Sequence, residues 1–174
     1  MCPFGHGQVR WINSRQCIHP SSLPIPFSKH SLSLLFDCGN LGSQSIAAHG
    51  HADALSFTLR AFGQHIFVDP GTYDYFRYPD WRDYFRSTCA HNTLMVDARD
   101  QSEMLGPFLW GRRAEARCVS WEPRPNGGRV IGEHDGYAQL ADPVIHRRCV
   151  DFDGELKTLT VTDSLSACES YNVK

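Results

Sequence analysis

LSFTLRAFGQHIFVDPG (residues 55–71) decides the fold class. Leu55, Phe57 and Leu59 alternate with Ser56, Thr58 and Arg60. That period of two is what a strand with one buried face requires. Gly63 interrupts the run, Ile66–Val68 resumes it, and Asp69-Pro70-Gly71 ends it with turn-forming residues. The spacing predicts an antiparallel hairpin.

The same pattern recurs in both directions. Leu32–Asp37 is a short, mostly apolar run, and Thr93–Val96 predicts another strand. Ala114–Trp121 and Arg129–His134 flank the turn-rich Pro123–Gly128, and Val144–Phe152 and Leu156–Thr162 flank Asp153-Gly154. Asp74–Arg86, dense in aromatic and charged residues, predicts a long connection or a short helix. No segment keeps a helical period over three turns. The expectation is an all-β, antiparallel β-sandwich over residues 29–174. Residues 1–28, rich in Pro, Ser, Gly and Cys, read as an irregular lead, and the pattern still running at Lys174 reads as a sandwich cut short.

Composition narrows the partners. A chain of 174 residues can close one core. Its net charge of −2 offers no basic surface for nucleic acid. An acidic partner would have to meet local positive charge, for which Arg82, Arg86, Arg112 and Arg113 are candidates. The seven cysteines form no CxxC pair, which argues against a zinc ribbon or a disulfide framework and leaves most of them as small apolar residues. No run approaches the roughly 20 apolar residues of a membrane span. The first twenty residues lack the apolar centre of a secretory signal.

Chemistry concentrates in His49-Gly50-His51-Ala52-Asp53. In extended backbone, residues two apart share a face, so both imidazoles can approach one centre, with Gly50 leaving the other face open. Asp69 ends the strand paired with this segment, and His91, followed by Asn92, opens the next one. Two histidines and an aspartate suit zinc. The spacing also admits a structural His pair with Asp69 as a plain turn residue. A cupin-like metal oxygenase is a third reading, against which the absence of a glutamate shortly after the HxH counts.

The motifs LLFDCGNLG (34–42), AAHGHADALSFTLRAFGQ (47–64), IFVDPGTYDY (66–75), YFRSTCAHNTLMVDARDQSE (84–103) and FLWG (108–111) resemble the heparinase II/III-like family of polysaccharide lyases. HDGYAQL (134–140) and IHRRCV (145–150) are similar to it as well, whereas residues 1–28 carry none of its pattern. The resemblance implies a β-sandwich that follows an N-terminal α/α toroid. It also implies cleavage of uronic-acid polysaccharides, of heparin, heparan sulfate or alginate type, by β-elimination in the periplasm or cell envelope. His49 matches the catalytic histidine, and His51, Asp69 and His91 match the ligands of a Zn2+ ion. Tyr84, Arg86 and Asn92, with His134, become candidates for contact with the sugar. Tyr73 and Tyr75 read as packed aromatics, and His65 and His146 as structural histidines. The toroid supplies the family's catalytic tyrosine, so the chain by itself would carry half of a site. The competing reading is a metal-stabilised module that binds glycan or packs on a toroid without catalysis.

Overall fold

The computed structural model of the chain describes residues 8–12, 32–42, 47–167 and 173. Four strands form the first sheet in the order β1 (Gln8–Ile12), β2 (Ser33–Asp37), β3 (Phe57–Ala61) and β4 (Gln64–Phe67). A two-stranded ribbon, β5 (Met104–Gly106) and β6 (Leu109–Trp110), stands apart. The second sheet runs β10 (Thr158–Ser166), β9 (Val144–Asp153), β8 (Gly127–Tyr137), β7 (Ala116–Arg124), and every pairing is antiparallel. Helix α1 (Pro79–Arg86) and a 3-10 turn (Thr88–Ala90) complete the described elements.

Alternation places the core between the two sheets. Leu34 and Phe36 of β2 and Phe57 of β3 meet Val130 of β8 and Val150 and Phe152 of β9. Both Leu34 and Phe36 are 0% exposed, and burying each such side chain contributes about 1.5–3 kcal/mol. The all-β sandwich expectation is therefore met. Phe62 and Gly63, with φ of 54° and 79°, form the two-residue turn of the β3–β4 hairpin. Positive φ at both positions matches the strand twist, and glycine adopts it without strain.

One close approach joins the sheets to the segment that carries chemistry. A Cβ on Gly132 of β8 would lie 2.5 Å from Leu55 Cδ2 and 3.1 Å from the Phe36 ring. Leu55 is fully buried and left-handed at φ 61°, an unfavourable conformation for a bulky residue. Gly132 makes room for it.

Two elements depart from the sequence expectations. Gln8–Ile12, inside the lead expected to be irregular, forms β1 and pairs in register from Gln8↔Asp37 to Ile12↔Ser33. The remainder of residues 1–28 lies outside the described residues. Thr93–Val96 is not a strand: Val96 makes only isolated bridges, to Arg99 and Val173. Side chains distant in sequence take the place of a neighbouring strand: Thr93 Oγ1 donates to the Ala54 carbonyl and the Leu94 carbonyl accepts from the Tyr137 hydroxyl. The aromatic connection resolves into α1, which starts with Pro79 and Asp80 and ends with Arg86, the charge order a helix dipole favours. Cys38 fits the small-apolar reading of the cysteines, but Cys89 is exposed.

Two substitutions test the packing. Leu34→Ala should cost about 2–5 kcal/mol. Gly132→Ala should cost about 1–3 kcal/mol by pressing on Leu55. Both should shift the urea midpoint without changing its slope. A neutral Gly132→Ala would show that Leu55 yields freely.

Candidate metal centre

The segments after β2, before β3 and after β4 converge with the loop after α1. Donor atoms of His51, Asp53, Asp69 and His91 all lie within 4.8 Å of one another. His91 is buried, His51 and Asp53 are half-buried, and Asp69 is exposed. His51 Nδ1 faces His91 Nε2 at 3.2 Å, and His51 Nε2 lies 3.3 Å from Thr72 Oγ1. His91 Nδ1–H donates to the Ser87 carbonyl at 2.8 Å, which orients the ring and leaves the Nε2 lone pair directed at His51. Thr72 can donate to or accept from His51, so His51 can free Nδ1 as a ligand by moving its proton to Nε2. Asp69 Oδ1 accepts the Gly71 N–H at 2.7 Å, fixing the carboxylate through its own turn.

The electrostatics fit a cation. Burial, then the Asp69 carboxylate, pushes Asp53 up to about 7. Asp37, behind it, is likewise raised to about 7, by burial and then by Asp53. Burial, and next the neighbouring His91, lowers the pKa of His51. A divalent ion among these groups would reverse the carboxylate shifts and favour neutral imidazole. Two imidazoles and two carboxylates are a donor set of the kind zinc accepts.

A cavity of about 240 Å³ opens on the centre and is lined by His49, His51, Asp37, Asp53, Asp69 and Gln101, among others. His49 and His51 share this cavity but not one centre. The His49 ring is exposed and stands edge-on to Tyr75 at 5.6 Å and to Phe108 at 5.7 Å. Gly50 does not leave an open face, because a Cβ there would lie 2.7 Å from Leu41 Cδ2.

The remaining candidates are placed elsewhere. Tyr84 is exposed on α1, edge-on to Phe85. Arg86 is 1% exposed, its guanidinium 4.7 Å from the Trp110 ring centre and donating to the Gly106 carbonyl. Asn92 Nδ2 donates to the carbonyls of Phe57 and Val68, tying the His91 loop to β3 and to the segment after β4. His134 is 1% exposed and does not line the cavity; its Nε2 lies 3.0 Å from His146 Nδ1. Tyr73 and Tyr75 pack on aromatic rings as expected, Tyr73 stacked on Phe85 and Tyr75 on Phe108, while remaining 61% and 42% exposed. Asp53 stood in the HGHAD motif, two residues after His51, but sequence reasoning gave it no role; the same period-two argument that linked the histidines would have found it. Thr72 and Asp37 carried no such signal.

A family model described as heparinase II/III-like, C-terminal, matches residues 17–173, so the chain belongs to that family. Its fold is shared with a crystal structure of heparinase III (TM-score 0.63, 21% identity, 84% of this chain and 21% of that one). Heparan sulfate lyase HepC from Pedobacter heparinus is similar (TM-score 0.63, 21% identity, 83% and 20%). So is another heparinase III gene product (TM-score 0.64, 20% identity, 92% and 25%). The chain thus spans between a fifth and a quarter of the length of these solved relatives. No curated protein matched.

Replacing His91 or Asp53 by Ala should lower metal content by more than the roughly 10–100-fold expected for loss of an outer-shell partner. It should lower the melting temperature at the same time, because metal-binding free energy is folding free energy. His49→Ala should leave the metal in place. Metal retained at full stoichiometry by Asp53→Ala would remove Asp53 from the ligand set.

A pH effect follows from His134, which burial, then His146, pushes down to about 3. Unfolded histidine titrates near 6.5. Its contribution to stability is therefore complete above about 6.5 and is lost as the pH falls from there towards 3. Asp37 and Asp53 act with the opposite sign, since their raised values remove stability as the pH rises from about 4 through 7. In chelated protein, wild type should lose melting temperature relative to His134→Gln as the pH falls below about 6.5. Parallel curves would rule out His134 as the source.

Proposed function

We propose that the chain supplies the metal-bearing part of a polysaccharide lyase that breaks uronic-acid polymers, of heparin, heparan sulfate or alginate type, by β-elimination. What supports the reading is one observation: an exposed imidazole, His49, opens on the same cavity as the His51, Asp53, Asp69 and His91 cluster. Family membership and the names of the solved relatives, heparinase III and heparan sulfate lyase, point to the same substrate class.

In β-elimination, a base removes the C5 proton of the uronate, the electron pair forms the C4–C5 double bond, and the C4 oxygen departs and is protonated. The C5 proton is too weakly acidic beside an ionised carboxylate, so charge neutralisation has to accompany its removal. His49 is exposed and can either donate to the uronate carboxylate or accept the C5 proton. Tyr75 and Phe108, stacked on each other, both meet its ring edge-on and limit its orientations. A bound Zn2+ would cross-link the loops that carry its four ligands and so fix the turn that presents His49. Tyr84 is exposed and free to meet sugar, whereas Arg86 and Asn92 act by holding backbone.

The span of the chain relative to its relatives supports a division of labour, in which an α/α toroid domain completes the cleft and supplies the acid. Such an enzyme would work in the periplasm or cell envelope.

The test is ultraviolet absorbance of the unsaturated uronate, with heparin, heparan sulfate and alginate offered in turn to metal-quantified protein. The expected result is about one zinc per chain, with product only when a toroid domain is supplied and none after His49→Ala. Product from the chain alone, abolished by His49→Ala, would overturn the division of labour. Glycan retention without product in either case would favour the non-catalytic binding module.

A further inference from the structure

We propose that Arg148, on β9, is a positioning residue for the metal centre, holding through one guanidinium the two loops that carry Asp53 and His91. The inference rests on the metal reading above. Arg148 is 5% exposed and lies outside the cavity that His51, Asp53 and Asp69 line. Its Nη1 donates to the Leu55 carbonyl at 2.8 Å and to the Asn92 carbonyl at 2.7 Å. Leu55 is two residues beyond Asp53, and Asn92 directly follows His91. Nε and Nη2 of the same group grip Asp163 of β10 in a two-pronged pair, at 2.7 and 2.8 Å.

The grip on Asp163 is itself anchored. His146 Nε2 lies 2.7 Å from Asp163 Oδ1, His146 Nδ1 lies 3.0 Å from His134 Nε2, and the Gly136 N–H donates to His134 Nδ1 at 2.9 Å. One proton arrangement satisfies the whole chain. Gly136 donates to His134, whose Nε2–H donates to His146, whose Nε2–H donates to the ionised Asp163, which also accepts from Arg148. Both imidazoles are neutral in this arrangement, and the buried Arg148 guanidinium is compensated by Asp163, whose side chain is 25% exposed. The guanidinium is thereby fixed from behind while its other edge holds two loop carbonyls.

Leu55 shows why the hold matters. Its left-handed backbone, at φ 61°, stores strain of about 1–3 kcal/mol that persists only while the surroundings impose it. Three contacts do so: its N–H donates to the Asp37 carbonyl, its side chain sits against Gly132, and its carbonyl accepts from Arg148. Without the third, a buried carbonyl has no donor, and the turn that presents Asp53 can relax. Lysine cannot substitute, because one ammonium lacks the planar fork that serves a carboxylate and two carbonyls together.

The test compares Arg148→Lys, Arg148→Met and Asp163→Asn with Arg124→Met, which breaks the exposed Arg124–Asp151 pair of the same sheet and touches neither loop. The readouts are zinc affinity by chelator competition, the visible absorption of the cobalt-substituted site, and the imidazole nitrogen shifts of His51 and His91 in metal-free protein. Arg148→Lys and Asp163→Asn should weaken zinc by about 10–100-fold, the range seen for outer-shell partners, and alter the cobalt spectrum. Arg124→Met should change neither, even where it lowers the melting temperature. If Arg148→Lys lowers the melting temperature but leaves zinc affinity within about threefold, far below that range, and the cobalt spectrum unmoved, Arg148 is only a stabiliser and the inference falls. Should wild type take up no metal, the metal reading fails separately. The metal-free imidazole shifts then decide: shifts that move in Arg148→Lys support positioning, and shifts that stay put overturn it.

Discussion

Buried carbonyls with no strand or helix to answer them set the design of this domain. The turn from His51 to Ser56 and the loop at His91–Leu94 belong to no sheet, and both lie against the core. Backbone N–H groups answer the oxygens of Asp53 and Ser56, and side chains claim several of the others. Thr93 and Gln101 donate to the Ala54 carbonyl, Arg148 donates to those of Leu55 and Asn92, and Tyr137 donates to that of Leu94. A buried carbonyl left without a donor costs about 1–3 kcal/mol. Long, polar side chains therefore occupy places where a sandwich would otherwise be apolar. Gln101 at 0% exposure and Arg148 at 5% are there for the backbone's sake. The irregular path brings the donor atoms of His51, Asp53, Asp69 and His91 from separate segments to one point, which a regular ladder would hold apart.

Two histidine pairs show how environment separates structure from chemistry. His134 and His146 lie 3.0 Å apart, deep in the second sheet, and the ring nitrogens of both face fixed partners. Nothing remains for a ligand. His51 and His91 lie 3.2 Å apart at the edge of a cavity, with two carboxylates among them and a threonine hydroxyl able to reverse its role. The distances are nearly equal. The difference lies in which lone pairs are already committed and in whether acidic groups surround the pair.

Strands with strict alternation were legible before any coordinates. The Phe57–Phe67 hairpin announces itself through period two and a glycine turn, and Leu32–Asp37 as a short, mostly apolar run. Thr93–Val96 has the same look but is not a strand, because pattern reports which side chains are buried and is silent on which backbone groups other side chains claim. β1 was hidden for the opposite reason: five residues in a lead dominated by turn-formers carry too little signal. At the site, motif resemblance singled out His51, Asp69 and His91, whose donor atoms do converge, while Asp53 stood in plain view without a role. Arg148 was one arginine of an RR pair within a strand pattern. Its partners lie 93 and 56 residues away in sequence, a separation no local reading spans.

The outer strand of the first sheet has a consequence for handling the protein in solution. All four residues of β4 are exposed, and Ile66, Phe67 and Val68 are 51%, 39% and 51% exposed. Asn92 secures the Val68 carbonyl, but the strand before it has no lysine, proline or acidic residue to discourage a newcomer. Among the described residues no strand pairs with its outer side, and a margin of this composition is a template on which a strand from another molecule can lay itself down. Self-association that grows with concentration is the hazard built into this edge, and adding a lysine at Ile66 is the natural remedy.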